Sequence, residues 1–355
     1  RSILETAIRR SPRTSNCLIC SGRVQVLAHT RPMSLQYLPM HIGDKRLMNL
    51  AVDLAPTHPR HLRLKNPVMN AAGTFGYGTE YAAFVDVRRL GAVVCKTTTL
   101  EPREGNPQPR LRETPAGLLN AVGLQNIGVE ALIKEKAPLW ASWDVPVIVS
   151  IAGQRVEDYS ELAARLDSVP GVSGLEVNIS CPNIESGGLE FGTDPKMAAA
   201  VTTAVVSATS LPVAVKLSPN VTDITEVAMA VAEAGAHTLC LINTLKGMAI
   251  DVAQRKPFLS NISGGLSGPA IRPVALHMVY QVAKKVKTPI VACGGIEHAS
   301  DALEFIMAGA SAVQVGTMQF VNPRTLIDVL EGIQDFMARE GIEGLSDIIG
   351  AAQGQ

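Results

Sequence analysis

The sequence predicts an α/β fold in which eight parallel strands close into a (β/α)8 barrel, with inserted loops over its C-terminal face. Three observations carry that expectation. From about residue 68, eight short apolar runs alternate with longer amphipathic ones, which is the pattern of a TIM barrel. The short runs are rich in β-branched residues and almost wholly apolar, as strands buried on both faces must be. An open doubly wound sheet would want a G-x-G-x-x-G after its first strand, and none is there.

Taken in order, the strands are expected at residues 68–72, 92–97, 145–151, 174–179, 213–217, 238–243, 290–293 and 312–315, flanked by Gly, Pro or Asn. Helical periodicity fills residues 159–166, 195–208, 224–234, 273–286 and 299–308 between them. Segments 98–125 and 244–268 are too long for ordinary βα loops. In a barrel such insertions sit over the catalytic face. No interdomain linker interrupts residues 48–345, and 346–355 read as a tail.

The 355 residues are 46% hydrophobic and 18% charged, enough for one large buried core. Lys+Arg and Asp+Glu both total 32, so no overall field argues for nucleic acid or a membrane surface. Residues 1–47 carry eight Lys+Arg against two Asp+Glu, leaving a mildly acidic body of 24 and 30. This basic, acid-poor stretch ahead of Met48 is expected to be poorly ordered. It fits either a transit peptide or an upstream extension with Met48 as the natural start. No uninterrupted apolar run is long enough to span a bilayer.

The six cysteines include a lone C-x-x-C, Cys17 and Cys20, with no second pair to complete a metal site. Cys95, Cys240 and Cys293 lie in apolar strands, where a thiol behaves as a small hydrophobe. Nothing suggests a disulfide framework, so a reducing cytoplasm is the expected compartment. Cys181 differs, standing in the polar strand-end run Ser180-Cys181-Pro182-Asn183.

Functional groups in a barrel belong at the C-terminal ends of its strands. Those ends carry Ala72-Gly73, Lys96-Thr97, Ser150, Asn178, Lys216, Ile242-Asn243-Thr244, Gly294-Gly295 and Gly316-Thr317. A ring of Lys, Asn and Thr atop apolar strands is costly unless something polar binds there. The late glycine pairs offer unhindered N–H groups before helices, which suits a phosphate, although tight turns alone would also use them. Two lysines near one mouth point to an anion. The competing role is an ion pair with an inward carboxylate, for which Glu176 is the nearest candidate.

Asn178-Ile179-Ser180-Cys181-Pro182-Asn183 resembles the N-[IL]-S-C-P-N signature of class 1 dihydroorotate dehydrogenases. Asn120-Ala121-Val122-Gly123-Leu124-Gln125-Asn126 resembles that family's orotate-binding segment. The runs at 243–248 and 264–270, and the late glycine pairs, match as well, so the likeness extends from about Met48 to about residue 340. The leader has no counterpart.

This resemblance implies that Cys181 is the base taking the C5 proton of dihydroorotate while hydride passes from C6 to FMN. Lys96, Asn120, Val122, Gly123 and Leu124 would hold the substrate carboxylate and ring. Asn178, Asn183, Asn243 and Thr244 would bond the pyrimidine amide edges, for which asparagine has both donor and acceptor. FMN would contact Ala72, Lys96, Thr97, Ser150, Asn178, Lys216, Ile242, Gly268, Gly294, Gly295, Gly316 and Thr317. The family often has serine where Ala72 stands, so contact there falls to the backbone.

Cysteine as base resembles class 1, since membrane-linked class 2 enzymes use serine and an apolar leading helix. Within class 1, residues 243–251 are more similar to the NAD-linked type than to the fumarate-linked type. In that type a homodimer of barrels carries two partner subunits with FAD and a [2Fe–2S] cluster, where NAD+ is reduced. Two alternatives stay open. One is a dihydropyrimidine dehydrogenase-like FMN barrel acting on uracil or thymine. The other is a non-catalytic flavin relay that would leave Cys181 dispensable.

Overall fold

The computed structural model describes residues 48–180 and 190–354. Eight parallel strands run in chain order around a barrel: β1 (Val68–Asn70), β2 (Val93–Val94), β3 (Val147–Ile151), β4 (Gly174–Asn178), β5 (Val213–Lys216), β6 (Thr238–Leu241), β7 (Ile290–Cys293) and β8 (Ala312–Val315). β8 pairs with β1, and a parallel bridge from Met69 to Ala92 joins β1 to β2, so the sheet closes. Asn70 reinforces that seam, its Nδ2 donating to the Val94 carbonyl at 2.6 Å and its Oδ1 accepting from Val94 N at 3.0 Å. The expected eight-stranded barrel is thus found. The second strand is shorter than the 92–97 run suggested.

Alternate residues face opposite ways, as the two-residue strand period dictates. Val147, Val149 and Ile151 pack outward with Leu175, Val177, Val213 and Val215 against the helices. Met69, Val94, Ile148, Cys240 and Val291 pack inward. The helices are α1 (Val156–Leu166), α2 (Pro195–Ala208), α3 (Ile224–Glu233), α4 (Arg272–Ala283), α5 (Ala299–Met307) and α6 (Thr325–Glu340). α1 buries Tyr159, Leu162, Ala163 and Leu166, one stripe at helical spacing. Asp194 and Asp223 cap α2 and α3 by accepting from Met197 N and Thr225 N, which meets orphan N–H groups at each start. α6 ends on Gly341 at φ 69°, a left-handed C-cap that suits glycine.

A short hairpin, Val52–Asp53 with Arg63–Leu64, precedes the barrel. Its Leu54, Ala55, Leu62 and Leu64 join the inward-facing cluster, and Thr238 Oγ1 donates to the Leu54 carbonyl. The N-terminal end of the barrel is therefore stoppered, leaving the C-terminal end for a ligand.

The two long insertions meet. Leu245–Met248, Ser263–Ser267, Gly117–Asn120 and Leu111–Thr114 form one antiparallel sheet in that order, so the loops after β2 and β6 build a joint cap. Residues 346–354 fold onto the end of α5, with Gly350 N donating to Ile306 O and Ala352 N to Met307 O. The expected leader, residues 1–47, lies outside the described residues. Among those described, no helix is long and apolar enough to cross a membrane.

Candidate active site

The barrel register sets the level of each group. Asn178, the last residue of β4, pairs with Lys216, the last of β5, and Lys216 pairs with Cys240 on β6. Asn178 Oδ1 accepts from Asn243 Nδ2 and from Ser180 N, both at 3.2 Å. Asn243 Oδ1 in turn accepts from Thr244 N at 2.8 Å. Thr244 lies against Gly265 of the cap, where an added Cβ would stand 2.0 Å from Thr244 Oγ1. Asn120 Nδ2 donates to the Gly265 carbonyl at 3.2 Å. Asn120, the adjacent pair Asn243 and Thr244, and Asn178, drawn from three separate stretches of sequence, thus form one chain from cap to strand ends.

Lys96 follows β2, and its backbone N–H donates to Gly76 O at 2.8 Å. Its side chain is mostly buried, and burial alone pulls its pKa below the ordinary lysine value. Among the described residues no hydrogen bond or ion pair holds its ammonium. Its Nζ lies 3.8 Å from where a Cβ on Gly73 would be. A buried cation with no protein partner is a strong indicator of an anionic ligand. Beside it Thr97 Oγ1 and Ser150 Oγ share a hydrogen bond of 2.9 Å, both residues being buried. Ala72 sits at the end of β1, next to Gly73 at φ 85°.

Lys216 is placed differently. Its Nζ donates to Gln314 Oε1 at 2.9 Å and lies 3.7 Å from Cys293 Sγ. Gln314 Nε2 donates to Glu176 Oε2 at 2.6 Å. Burial works against this ammonium, but Cys240, Cys293 and Glu176 outweigh it and hold its pKa above the usual lysine value. The inward carboxylate considered from sequence is present, reached through a neutral amide.

The late glycines converge. A Cβ on Gly295 would stand 2.9 Å from both the Gly268 carbonyl oxygen and Arg272 N, and one on Gly294 would meet Ala275 Cβ at 2.7 Å. Gly268 also neighbours Thr317, whose Oγ1 donates to Ser267 Oγ at 2.8 Å. Gly294, Gly295 and Gly268 have φ of 140°, 75° and 92°, so glycine is required by conformation as well as by space. Gly316, at the end of β8, lies close to Ala71 and Thr74. Bare backbone beside the start of α4 is what a phosphate needs. Ile242 is buried at the end of β6, its N–H donating to Cys293 O at 2.8 Å.

Val122, Gly123 and Leu124 form a tight bend in the first insertion. Gly123 has φ 77° and Leu124 φ 55°, and Asn106 buttresses the bend, its N–H donating to Val122 O and its Nδ2 to Ala121 O, both at 3.0 Å. Cys181 and Asn183 lie outside the described residues. The sequence reading missed Asn106, Gln314 and Asn220, the last of which donates from Nδ2 to Thr244 O at 3.2 Å and accepts from Lys246 N at 2.9 Å. Asn220 follows Ser218-Pro219 in another polar strand-end run, a signal that was available in the sequence. Asn106 and Gln314 had no comparable mark.

This geometry suits a flat, anionic, amide-edged substrate beside a phosphate-bearing cofactor. The family model described as dihydroorotate dehydrogenase matches residues 55–337. The chain is 56% identical over 292 residues to the Pelobacter propionicus protein named dihydroorotate dehydrogenase B (NAD(+)), catalytic subunit, covering 82% of this chain and 96% of that one. The protein of the same name from Desulforudis audaxviator is 57% identical over 291 residues, covering 82% and 95%. That from Desulforamulus reducens is 55% identical over 305 residues, covering 86% and 99%.

Proposed function

The chain belongs to the dihydroorotate dehydrogenase family, and from that membership and the strand-end geometry we propose that it is the catalytic subunit of an NAD-linked dihydroorotate dehydrogenase. It oxidises dihydroorotate to orotate, a step in making pyrimidines. The single observation carrying the site assignment is Lys96, a mostly buried ammonium with no hydrogen-bond or ion-pair partner among the described residues, at the same end of the barrel as the Asn178–Asn243–Thr244–Asn120 chain.

The cofactor in this reading is FMN, which supplies a hydride acceptor for C6 of the substrate. The glycines at 268, 294, 295 and 316 would offer its phosphate backbone N–H groups unhindered by side chains; their backbone packs so closely that a Cβ at 268, 294 or 295 would collide with neighbouring protein atoms and one at 316 would crowd Ala71. Thr97, Ser150 and Lys216 lie at the strand ends where the ring would rest. Lys96 holds the substrate carboxylate, with the bend at Val122, Gly123 and Leu124 offering backbone groups. Asn120, Asn178, Asn183, Asn243 and Thr244 read the ring's amide edges, fixing which face is presented. Cys181, as thiolate, takes the C5 proton as the C5–C6 double bond forms.

The relatives named above are catalytic subunits, which supports a partner. We assign that partner the FAD and [2Fe–2S] cluster that pass electrons to NAD+, in a cytoplasmic two-plus-two assembly around a homodimer of barrels. Orotate titration against bound-flavin absorbance tests the site. Lys96→Met, at matched flavin content, weakens orotate about tenfold to a hundredfold, the size of one charge-assisted hydrogen bond. If uracil binds the unaltered protein as tightly as orotate, the carboxylate assignment is wrong.

A further inference from the structure

Among the described residues, Glu176 and Lys216 are the only charged side chains buried within the barrel strands. They are not in direct contact. Gln314 spans them, its Nε2 donating to Glu176 Oε2 at 2.6 Å and its Oε1 accepting from Lys216 Nζ at 2.9 Å. The amide orientation is fixed by chemistry, because flipping it would set NH2 against the ammonium and C=O against the carboxylate. The register places Lys216 level with Asn178 at the mouth, whereas Glu176 pairs with Ala214 and lies deeper. Glu176 Oε1 is buried with no hydrogen-bond partner among the described residues.

Such an arrangement is a poor stabiliser. A buried ion pair returns little beyond its desolvation cost, and an unsatisfied carboxylate oxygen adds to that cost. Its effect is to keep one ammonium charged at the barrel mouth. The groups facing Lys216 are Glu176 on β4, Cys240 on β6, Cys293 on β7 and Gln314 on β8. Burial pushes both thiols up. Glu176 is the one carboxylate among these groups.

We propose that Glu176 and Gln314 are positioning residues that act through Lys216, holding its ammonium charged and aimed at the flavin ring so as to favour the reduced, anionic flavin. This rests on the assignment of FMN to the mouth. Each works at one remove or two from the ammonium, through the amide bridge.

The test is a double-mutant cycle read by the midpoint potential and the dissociation constant of FMN. Glu176→Gln keeps the shape and deletes the charge. The proposal expects it to lower the potential and weaken FMN about tenfold, in the same direction as Lys216→Met. Adding Glu176→Gln to Lys216→Met then changes the potential no further. Met69→Leu, a packing change in the same interior, leaves it unmoved. If Glu176→Gln does not fold, Gln314→Met deletes the bridge and is expected to lower the potential alike. A higher potential in Glu176→Gln, the direct effect of losing a nearby negative charge, overturns the proposal, as do additive effects in the cycle. If the unaltered chain binds no FMN, or dihydroorotate does not reduce it, the functional assignment itself falls. If both hold and the cycle is additive, only the positioning role is lost.

Discussion

Gly295 shows how much the site asks of single residues. Its φ is 75°, and a side chain there would crowd Arg272 N and the Gly268 carbonyl. An alanine in this left-handed conformation costs about 1–2 kcal/mol before any collision is counted. Gly295→Ala is therefore expected to release FMN at least tenfold more readily, which fluorescence of the freed flavin measures. An unchanged affinity would remove Gly295 from the phosphate site. The two lysines show what sequence can reveal at this scale. Both were legible as cations at strand ends, and among the described residues Lys96 has no hydrogen-bond or ion-pair partner. The hold on Lys216 was not legible, because its partner Gln314 is neutral and 98 residues away.

Elements were read best where the signal is local. Eight apolar runs became eight strands, and the run at 195–208 became α2 without change of bounds. Two helical pieces went unread. α6 follows the last strand, and residues 128–140 contain Pro138 and a widened turn at Leu132–Lys136. The pairing of the two insertions was beyond local pattern, since register between loops about 145 residues apart leaves no period in either. Two predictions belong here. Gly265→Ala pushes the cap off Thr244 and lowers kcat/KM for dihydroorotate, about a hundredfold if Thr244 moves 1 Å, while the melting temperature changes little. Trp140 is buried and donates from Nε1 to Tyr77 O at 3.0 Å. Trp140→Ala costs about 3–5 kcal/mol by denaturant titration.

For the whole molecule, the stoppered N-terminal end carries the pH response. His58 of the hairpin loop and His237 before β6 meet edge-to-face, ring centroids 4.5 Å apart. Their Nδ1 atoms accept from Arg60 N and Val213 N. Burial lowers both pKa values, helped for His58 by Arg60 and His61 and for His237 by His58. The fold thus favours both neutral rings. Their contribution is complete above about pH 6.5, the unfolded value, and is lost as pH falls below it. Thermal melts should show stability declining from pH 7 to pH 5, and His237→Gln should flatten that decline. A parallel decline in the variant would place the acid response elsewhere. Whether this barrel carries out the dehydrogenation itself is decided by mixing the purified flavin-loaded chain with dihydroorotate under anaerobic stopped flow, beside Cys181→Ala. The flavin absorbance is expected to bleach without NAD+ or any partner, and the variant to be slower by about 10²–10⁴-fold. Flavin that stays oxidised with dihydroorotate, or a Cys181→Ala variant that bleaches as fast as the unaltered chain, would contradict the dehydrogenase assignment.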